Sequence, residues 1–330
     1  MTHLHRLVVA TVLIAGSVTA TARAAEPDKL LPATTEGVVQ VNVRQILDSD
    51  IAKKYALEQL KQVLDGQDAK KLLADIGLDP LKDIDQLVIG TSGSNKGDIK
   101  YLMILHGKFT PDKLYLAAEA QAKKDPDKFS MSKEGNTIFF KFQPDNGDSA
   151  FYGTVVDEKT VIAASDKKLI TNALAAAKNN QAASLNKDLV ALLRKMDDKA
   201  SIYAAGIVKG KFDELQIPGG GQLPVDLSAF QNLLPKIETM AVSVNVKADV
   251  FIEMTLGMKD DDSAGDFRSA FDDLLKQIKP LAQIFGAAEP RAKPLGDILG
   301  TIKSTTRNKD VVITGKVTGA NIGKMVNPNE

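Results

Sequence analysis

Two apolar periods alternate along this chain. A period of two marks half-buried strands, and one of about 3.6 marks amphipathic helices. The plan is set out in residues 31–64, where the Val-rich run 38–43 (VVQVNV) reads as a strand bounded by Gly37. Ser49 or Asp50 can cap the helix that follows, whose apolar face is Ile51, Tyr55, Ala56, Leu60, Val63 and Leu64. Gly66 breaks that helix, and a second one, 69–76, ends at Gly77, a residue suited to a C-terminal cap. The residues after it, 78–81, read as a turn. Strands are expected at 87–90 and 101–109, around a Gly/Ser-rich loop at 90–97. A helix follows at 112–124, with Pro111 at its start. The strands 138–142 and 150–156 read as a hairpin across 144–148, where Asn146-Gly147 is a turn signal. A strand at 160–164 then leads into a helix at 167–178 capped by Asp166, and a further helix spans 186–196.

The second half starts again with a strand at 201–208. A loop holding Gly219, Gly220 and Gly221 between prolines reads as a tether or lid. The strands 240–246 and 250–258 alternate apolar with polar residues and read as a hairpin. The strongest helical stripe is Phe267, Phe271, Leu274, Ile278, Leu281 and Phe285, and Pro280 inside it predicts a kink or stop near Lys279. A helix at 294–303, a strand at 311–317 and a helical turn at 320–326 complete the pattern.

Each half therefore reads strand, helix, strand, strand, helix, strand. That is the order of the ferredoxin-like split β-α-β. The expected fold is α+β, with two related modules of antiparallel sheet and helices on one face, at 25–190 and 191–330. A short motif recurs where strands pass into helices: Gly107-Lys108-Phe109-Thr110, Gly210-Lys211-Phe212-Asp213 and Gly315-Lys316-Val317-Thr318. Glycine lets the chain bend, the apolar residue enters the core, and Thr or Asp can cap the coming helix. We read the recurrence as the trace of a duplicated structural turn, not as three binding sites.

The first 24 residues change the picture. One firm charge, the apolar run 7–15 and the small-x-small triplet Ala22-Arg23-Ala24 form a secretory signal peptide, too short for a membrane span. Its removal leaves 306 of the 330 residues, enough for two ordinary domains. No later segment is apolar for long enough to cross a bilayer. The expected location is the periplasm or cell envelope, or outside the cell. Cysteine is absent, which excludes disulfides and thiolate metal sites. The 42 basic and 42 acidic residues balance, and loss of Arg6 and Arg23 leaves a net −2. Such a mixed surface gives nucleic acid no basic face to grip. The lack of Trp removes the usual stacking platforms for sugars and bases.

Candidate chemistry is thin. After processing His106 is the one histidine, so it cannot build a multi-histidine metal site, and it reads as a core or edge residue rather than the base of a triad. Asp260, Asp261 and Asp262, with Glu253, could attract a hard cation, but a strand-to-helix junction makes them capping residues first. The 90–97 loop lacks the Gly-Lys-Ser/Thr of a phosphate cradle. The Phe267 stripe reads as core packing, or alternatively as the wall of an apolar groove. No residue is assigned as catalytic, cofactor-binding or metal-binding.

Leu31-Pro32-Ala33-Thr34-Thr35, the 38–43 strand, the helix 46–64 and the 77–85 segment (GLDPLKDID) are similar to a group of uncharacterised, signal-peptide-bearing bacterial proteins. The resemblance implies an exported α+β protein and carries no site residues with it. The expected function is an exported, non-catalytic binding or scaffolding protein of the cell envelope, whose partner is a protein or an apolar small molecule. One alternative is a periplasmic carrier with an apolar pocket between sheet and helices. Another is a hydrolase with two carboxylates of raised pKa in one cleft.

Overall fold

A computed structural model covers the chain. The structure describes residues 25–93, 99–144, 149–178, 185–213, 215, 225, 227–288 and 293–326. The signal segment 1–24, the turn at 145–148 and the Gly219-Gly220-Gly221 loop lie outside the described residues.

The first half contains β1 (Gly37–Val41), then five short helices: α1 (Val43–Asp48), α2 (Asp50–Tyr55), α3 (Leu57–Leu64), α4 (Gln67–Ile76) and α5 (Pro80–Asp83). There follow β2 (Ile84–Ser92), β3 (Lys100–Gly107), α6 (Pro111–Lys124), β4 (Phe129–Glu134), β5 (Thr137–Phe142), β6 (Phe151–Asp157), β7 (Thr160–Ala164) and α7 (Lys167–Lys178). Next come α8 (Lys187–Leu193), β8 (Ile202–Ile207), α9 (Ser228–Gln231), β9 (Ile237–Val246) and β10 (Val250–Met258). The chain closes with α10 (Asp261–Ala288), α11 (Lys293–Thr301), β11 (Lys303–Arg307), β12 (Asp310–Val317) and α12 (Gly319–Val326).

All twelve strands join one antiparallel sheet, in the order β11-β12-β10-β9-β8-β1-β2-β3-β7-β6-β5-β4. The α+β class and the antiparallel sheet are as the pattern indicated. The pairing differs from a split β-α-β. A helical connection that crosses a sheet delivers the next strand parallel to the first. Here Val41 at the end of β1 pairs with Leu87 near the start of β2. The connection α1–α5 thus leaves and returns at the same end of the sheet, and β2 lies antiparallel beside β1. Strand order nevertheless repeats: β1-β2-β3-β7-β6 on one side and β8-β9-β10-β12-β11 on the other, with β4 and β5 as an added hairpin at one edge. The central pair β1·β8 matches Val38 with Ala205 and Gln40 with Tyr203, and makes the two halves one sheet.

Facing partners on neighbouring strands share a face, so register assigns each core to a side. Val38, Val88, Leu102, Ile104, Ile162, Ala164, Ala205 and Ala241 lie on one face, under Leu31, Ile170 of α7 and Leu189 and Leu193 of α8. Leu256, Val311 and the half-buried Met240 and Met254 point to the opposite face, where Phe267 of α10 packs edge-on against Phe230 at 5.3 Å. The two halves bury their apolar surface on opposite sides of a shared sheet.

Three local expectations also change. The 51–64 helix is split into α2 and α3 at Ala56. The α10 helix runs through Pro280 to Ala288 without stopping. Leu275 and Ala282, on either side of Pro280, are buried, so packing holds the turn that the missing N–H weakens. Finally, β4 and β11 form the two sheet edges where the pattern gave no strand.

Candidate functional site

The residues weighed for chemistry are dispersed. Asp260 Oδ1 accepts from the Ser263 backbone N–H at 2.8 Å, the geometry of a helix cap on α10. Hydrogen bonds from the Ser263 side chain and backbone hold the Asp260 carboxyl below its ordinary pKa. Asp261 and Asp262 lie exposed in the first turn of α10, and Glu253 is within β10. Among the described residues no three His, Asp or Glu side chains are grouped to hold a metal ion. Part of the 90–97 loop, residues 94–97, lies outside the described residues.

The three copies of the Gly-Lys motif serve different ends. A Cβ at Gly107 would stand 1.9 Å from the Asp83 carbonyl oxygen, so only glycine allows that approach. Gly210 has φ +76°. Gly315 sits inside β12 with room for a side chain. The copies follow β3 and β8 and end β12, which are not equivalent strands in the repeated order. The motif does not track that repeat.

Two places gather side chains in a way sequence reading did not find. The first is a polar recess beside the central strands β1, β2 and β8, edged by Ala25, Glu26 and Asp28. It has a volume of 270 Å³ and is lined by Ala25, Glu26, Asp28, Gln40, Gln86, Asp198 and Tyr203. His106 on β3 places Nε2 2.6 Å from Asp28 Oδ2. The hydrogen bond to Asp28 raises the His106 pKa, burial opposes the rise, and the charges of Asp28 and Asp157 add to it. Tyr203 donates to Gln40 Oε1 at 2.7 Å. Burial first, then the charges of Asp28 and Asp198, pushes its phenol up to about 12. Asn42 ties the recess to the loop before β8, donating to the carbonyls of Asp198 and Ala200 and accepting from Gln86 Nε2 at 3.1 Å.

The second is a cleft of 510 Å³ among α1–α5, within the range of about 300–1,000 Å³ usual for small-molecule sites. Its walls are Leu47, Leu57, Leu64, Leu73, Leu78 and Leu81, all half-buried. Arg44 fixes the base. It donates to the Leu81 carbonyl at 2.6 Å and to that of Lys82, and pairs with Asp85 at 3.6 Å. Asp79 accepts from the Leu81 N–H at 3.1 Å and pairs with Lys82 at 2.8 Å. The hydrogen bond from Lys82 is the main reason that the Asp79 carboxyl titrates below its ordinary value, against some burial. Lys61 pairs with Glu58 and Lys70 with Asp65 at the rim.

The helices around this cleft have an incomplete core. No residue of α3 is buried. Leu60, Val63 and Leu72 are 41%, 71% and 59% exposed. An eight-residue helix is marginal alone, so its apolar face needs a partner surface. By contrast the Phe267 stripe is packed. Phe267 and Leu275 are buried, Phe271, Leu274, Ile278 and Leu281 are half-buried, and none of the described clefts is lined by this stripe (the side chain of Phe285 lies outside the described residues). Among the described residues, the carboxyls of Asp79, Asp166, Glu238, Asp249 and Asp260 are each held below their ordinary pKa, chiefly by side-chain hydrogen bonds.

Compared with protein-family models, with curated proteins and with solved structures, the chain matches none.

Proposed function

We propose that this is an exported, non-catalytic binding protein whose binding element is the α1–α5 excursion, and that the occupant is a small amphiphile carrying an acyl chain. One observation carries the reading: six half-buried leucines wall a 510 Å³ cleft on helices that bury almost nothing else. Leucine walls suit a hydrocarbon chain, since burying each CH₂ group is worth about 0.8 kcal/mol. Lys53, Lys61 and Lys70 at the rim suit a polar or anionic head group. The signal-peptide pattern supports export, and the shared strand order of the two halves supports descent from related modules. A second reading, a scaffold docking a partner protein, is favoured by the outward-facing Leu60, Val63 and Leu72.

The test is titration of residues 25–330 with a fluorescent sixteen-carbon fatty acid, beside the variant Leu73→Asp. Saturable binding that weakens at least tenfold in L73D, with unchanged circular dichroism, supports the carrier reading. Absence of saturable binding sinks it. Native mass spectrometry of the protein taken gently from the envelope then discriminates: a bound small mass favours the carrier, and a bound protein the scaffold.

A further inference from the structure

An antiparallel sheet with one solvated face alternates apolar and polar residues, whereas strands covered on both faces read as continuous apolar runs. The two halves of this sheet differ in that respect. In the second half, the face turned away from α10 carries Ser243, Asn245, Glu253, Thr255 and Thr314, with Phe251 among them. The face of the first half turned away from α7 and α8 is built differently. Register lines Val161, Leu105, Leu87, Val41, Ile202 and Val244 into one row across β7, β3, β2, β1, β8 and β9. Ala163, Met103, Ile89, Val39, Ala204 and Val242 form a second row beside it. None of these residues is buried, while Val38, Val88, Leu102 and Ile162 on the other face are at most 3% exposed. Six strands at about 4.8 Å spacing give rows roughly 24 Å long.

Helices wall these rows in. α6 stands on the same face, its Tyr115 ring 5.8 Å from that of Phe140, which shares the face through Gly153 and Ala163. At the other side α10 stands over Met254, whose partner Val242 ends the second row. From α6 the frame continues through α4, α3, α2, α12 and α11 to α10, each packed on the next. Since a helix is about 10 Å across, the rows form the floor of a trough, closed at the end where α1–α5 lie. Leu60, Val63, Leu116, Ile284 and Met325 add exposed apolar side chains to the frame.

We infer that this trough is a lipid site, taking the acyl chains of an anionic phospholipid across the strands with the head group at the α1–α5 end. Three observations choose the occupant. The floor side chains carry no hydrogen-bonding group and each floor strand is paired on both sides, so a peptide would find no partner for its backbone. The walls keep the equally recessed face of a second copy from reaching the floor. The cleft at the closed end is lined by Arg44, Lys53, Lys61, Lys70 and Lys82 against Asp48, Asp65 and Asp79, an excess of two positive charges. The hydrocarbon of one bilayer leaflet is about 15 Å deep, half of the whole core, so a lipid chain fits along the floor at full length. The site goes beyond the leucine cleft proposed above, since no floor residue lines that cleft.

The test loads the processed chain, residues 25–330, from vesicles of phosphatidylglycerol bearing a diazirine in one acyl chain. The protein is separated from the vesicles, irradiated and digested, and the adducts are mapped by mass spectrometry. Lipid should leave with the protein, and adducts should fall on β1, β2, β3 and β8 and be removed by excess unlabelled lipid. The triple variant Val39→Thr, Ile89→Thr, Met103→Thr keeps strand-forming residues. It should lower this labelling about fivefold or more at an unchanged melting temperature, and leave binding of the fluorescent fatty acid as in the wild type. Should the variant not fold, the wild-type adduct map decides alone. Adducts confined to α1–α5 would overturn the trough while leaving the cleft reading intact. Protein that stays on the vesicles without extracting lipid would overturn it too, as would a dimer in light scattering that shields these strands from labelling.

Discussion

Replacing His106 with Gln isolates one charge at the centre of the sheet. The glutamine amide can still donate toward Asp28, so the variant loses mainly the imidazolium. The pair is short, 2.6 Å, with side-chain exposures of 30% for His106 and 14% for Asp28. Hydrogen bonds to charged groups contribute about 1.5–3 kcal/mol, and this much exposure places the pair near 1.5 kcal/mol. For a chain of this size that is roughly 2–3 °C in Tm. The sign follows from linkage. Asp28 raises the His106 pKa in the folded state. The stabilisation is therefore full below the unfolded value of about 6.5 and is lost as pH rises through the higher folded value. Thermal melts of the wild type and H106Q at pH 5.5, 7 and 8.5, followed by circular dichroism, should show a gap that is largest at pH 5.5 and smallest at pH 8.5. A gap that is flat across this range, or that widens with pH, refutes the assignment of a charged pair.

Other substitutions probe other links. Ile162→Ala, at a fully buried position facing Ile104 across β3 and β7, should cost about 2–5 kcal/mol by chemical denaturation, while a similar change at the exposed Val63 should cost almost nothing. Gly107→Ala should destabilise sharply, because its Cβ would meet the Asp83 carbonyl oxygen, whereas Gly315→Ala should be tolerated; paired Tm measurements decide it. Asp260→Ala should lower Tm at pH 7 by loss of the α10 cap. Since the Asp260 pKa is depressed, the difference should close as pH falls through that depressed value, below about 4. Added calcium should leave both melts unmoved.

Much of the fold was legible where the pattern is strong. The strand 160–164 and the helix 167–178 coincide with β7 and α7, and the hairpin at 240–258 is β9 and β10. Periodicity works there because one face of each element is buried. It failed at the edges. β4 buries no residue, so it shows only weak alternation at Phe129 and Met131, although Gly135 at φ +58° before Asn136 marks its turn. β11 (KSTTR) carries no apolar residue at all and is recruited by pairing with β12 alone. The candidate sites were less legible still. His106 was seen as an isolated histidine because its partner Asp28 lies 78 residues away, in a polar lead-in with no pattern. Of the cleft leucines only Leu64 belongs to the expected 51–64 stripe; the others, Leu47, Leu57, Leu73, Leu78 and Leu81, are spread over α1, α3, α4, the turn after α4 and α5, and no single helical period joins them.

The division of labour between sheet and helices gives a physical reason for the site to lie where it does. Both faces of the sheet are committed, one half to each core, and the central β1·β8 pair is sealed by the Tyr203–Gln40 hydrogen bond in a buried setting. Elements bound this tightly open only with the whole molecule. The α1–α5 excursion is held differently. It begins and ends at one end of the sheet, is clamped there by Arg44 on the carbonyls of Leu81 and Lys82, and leaves α3 with no buried residue. Its apolar surface is half-used, and its opening costs little of the core. A ligand entering the cleft would finish burying the leucine walls without disturbing either core. The sheet would serve as the rigid frame, and the short helices as the part free to adjust.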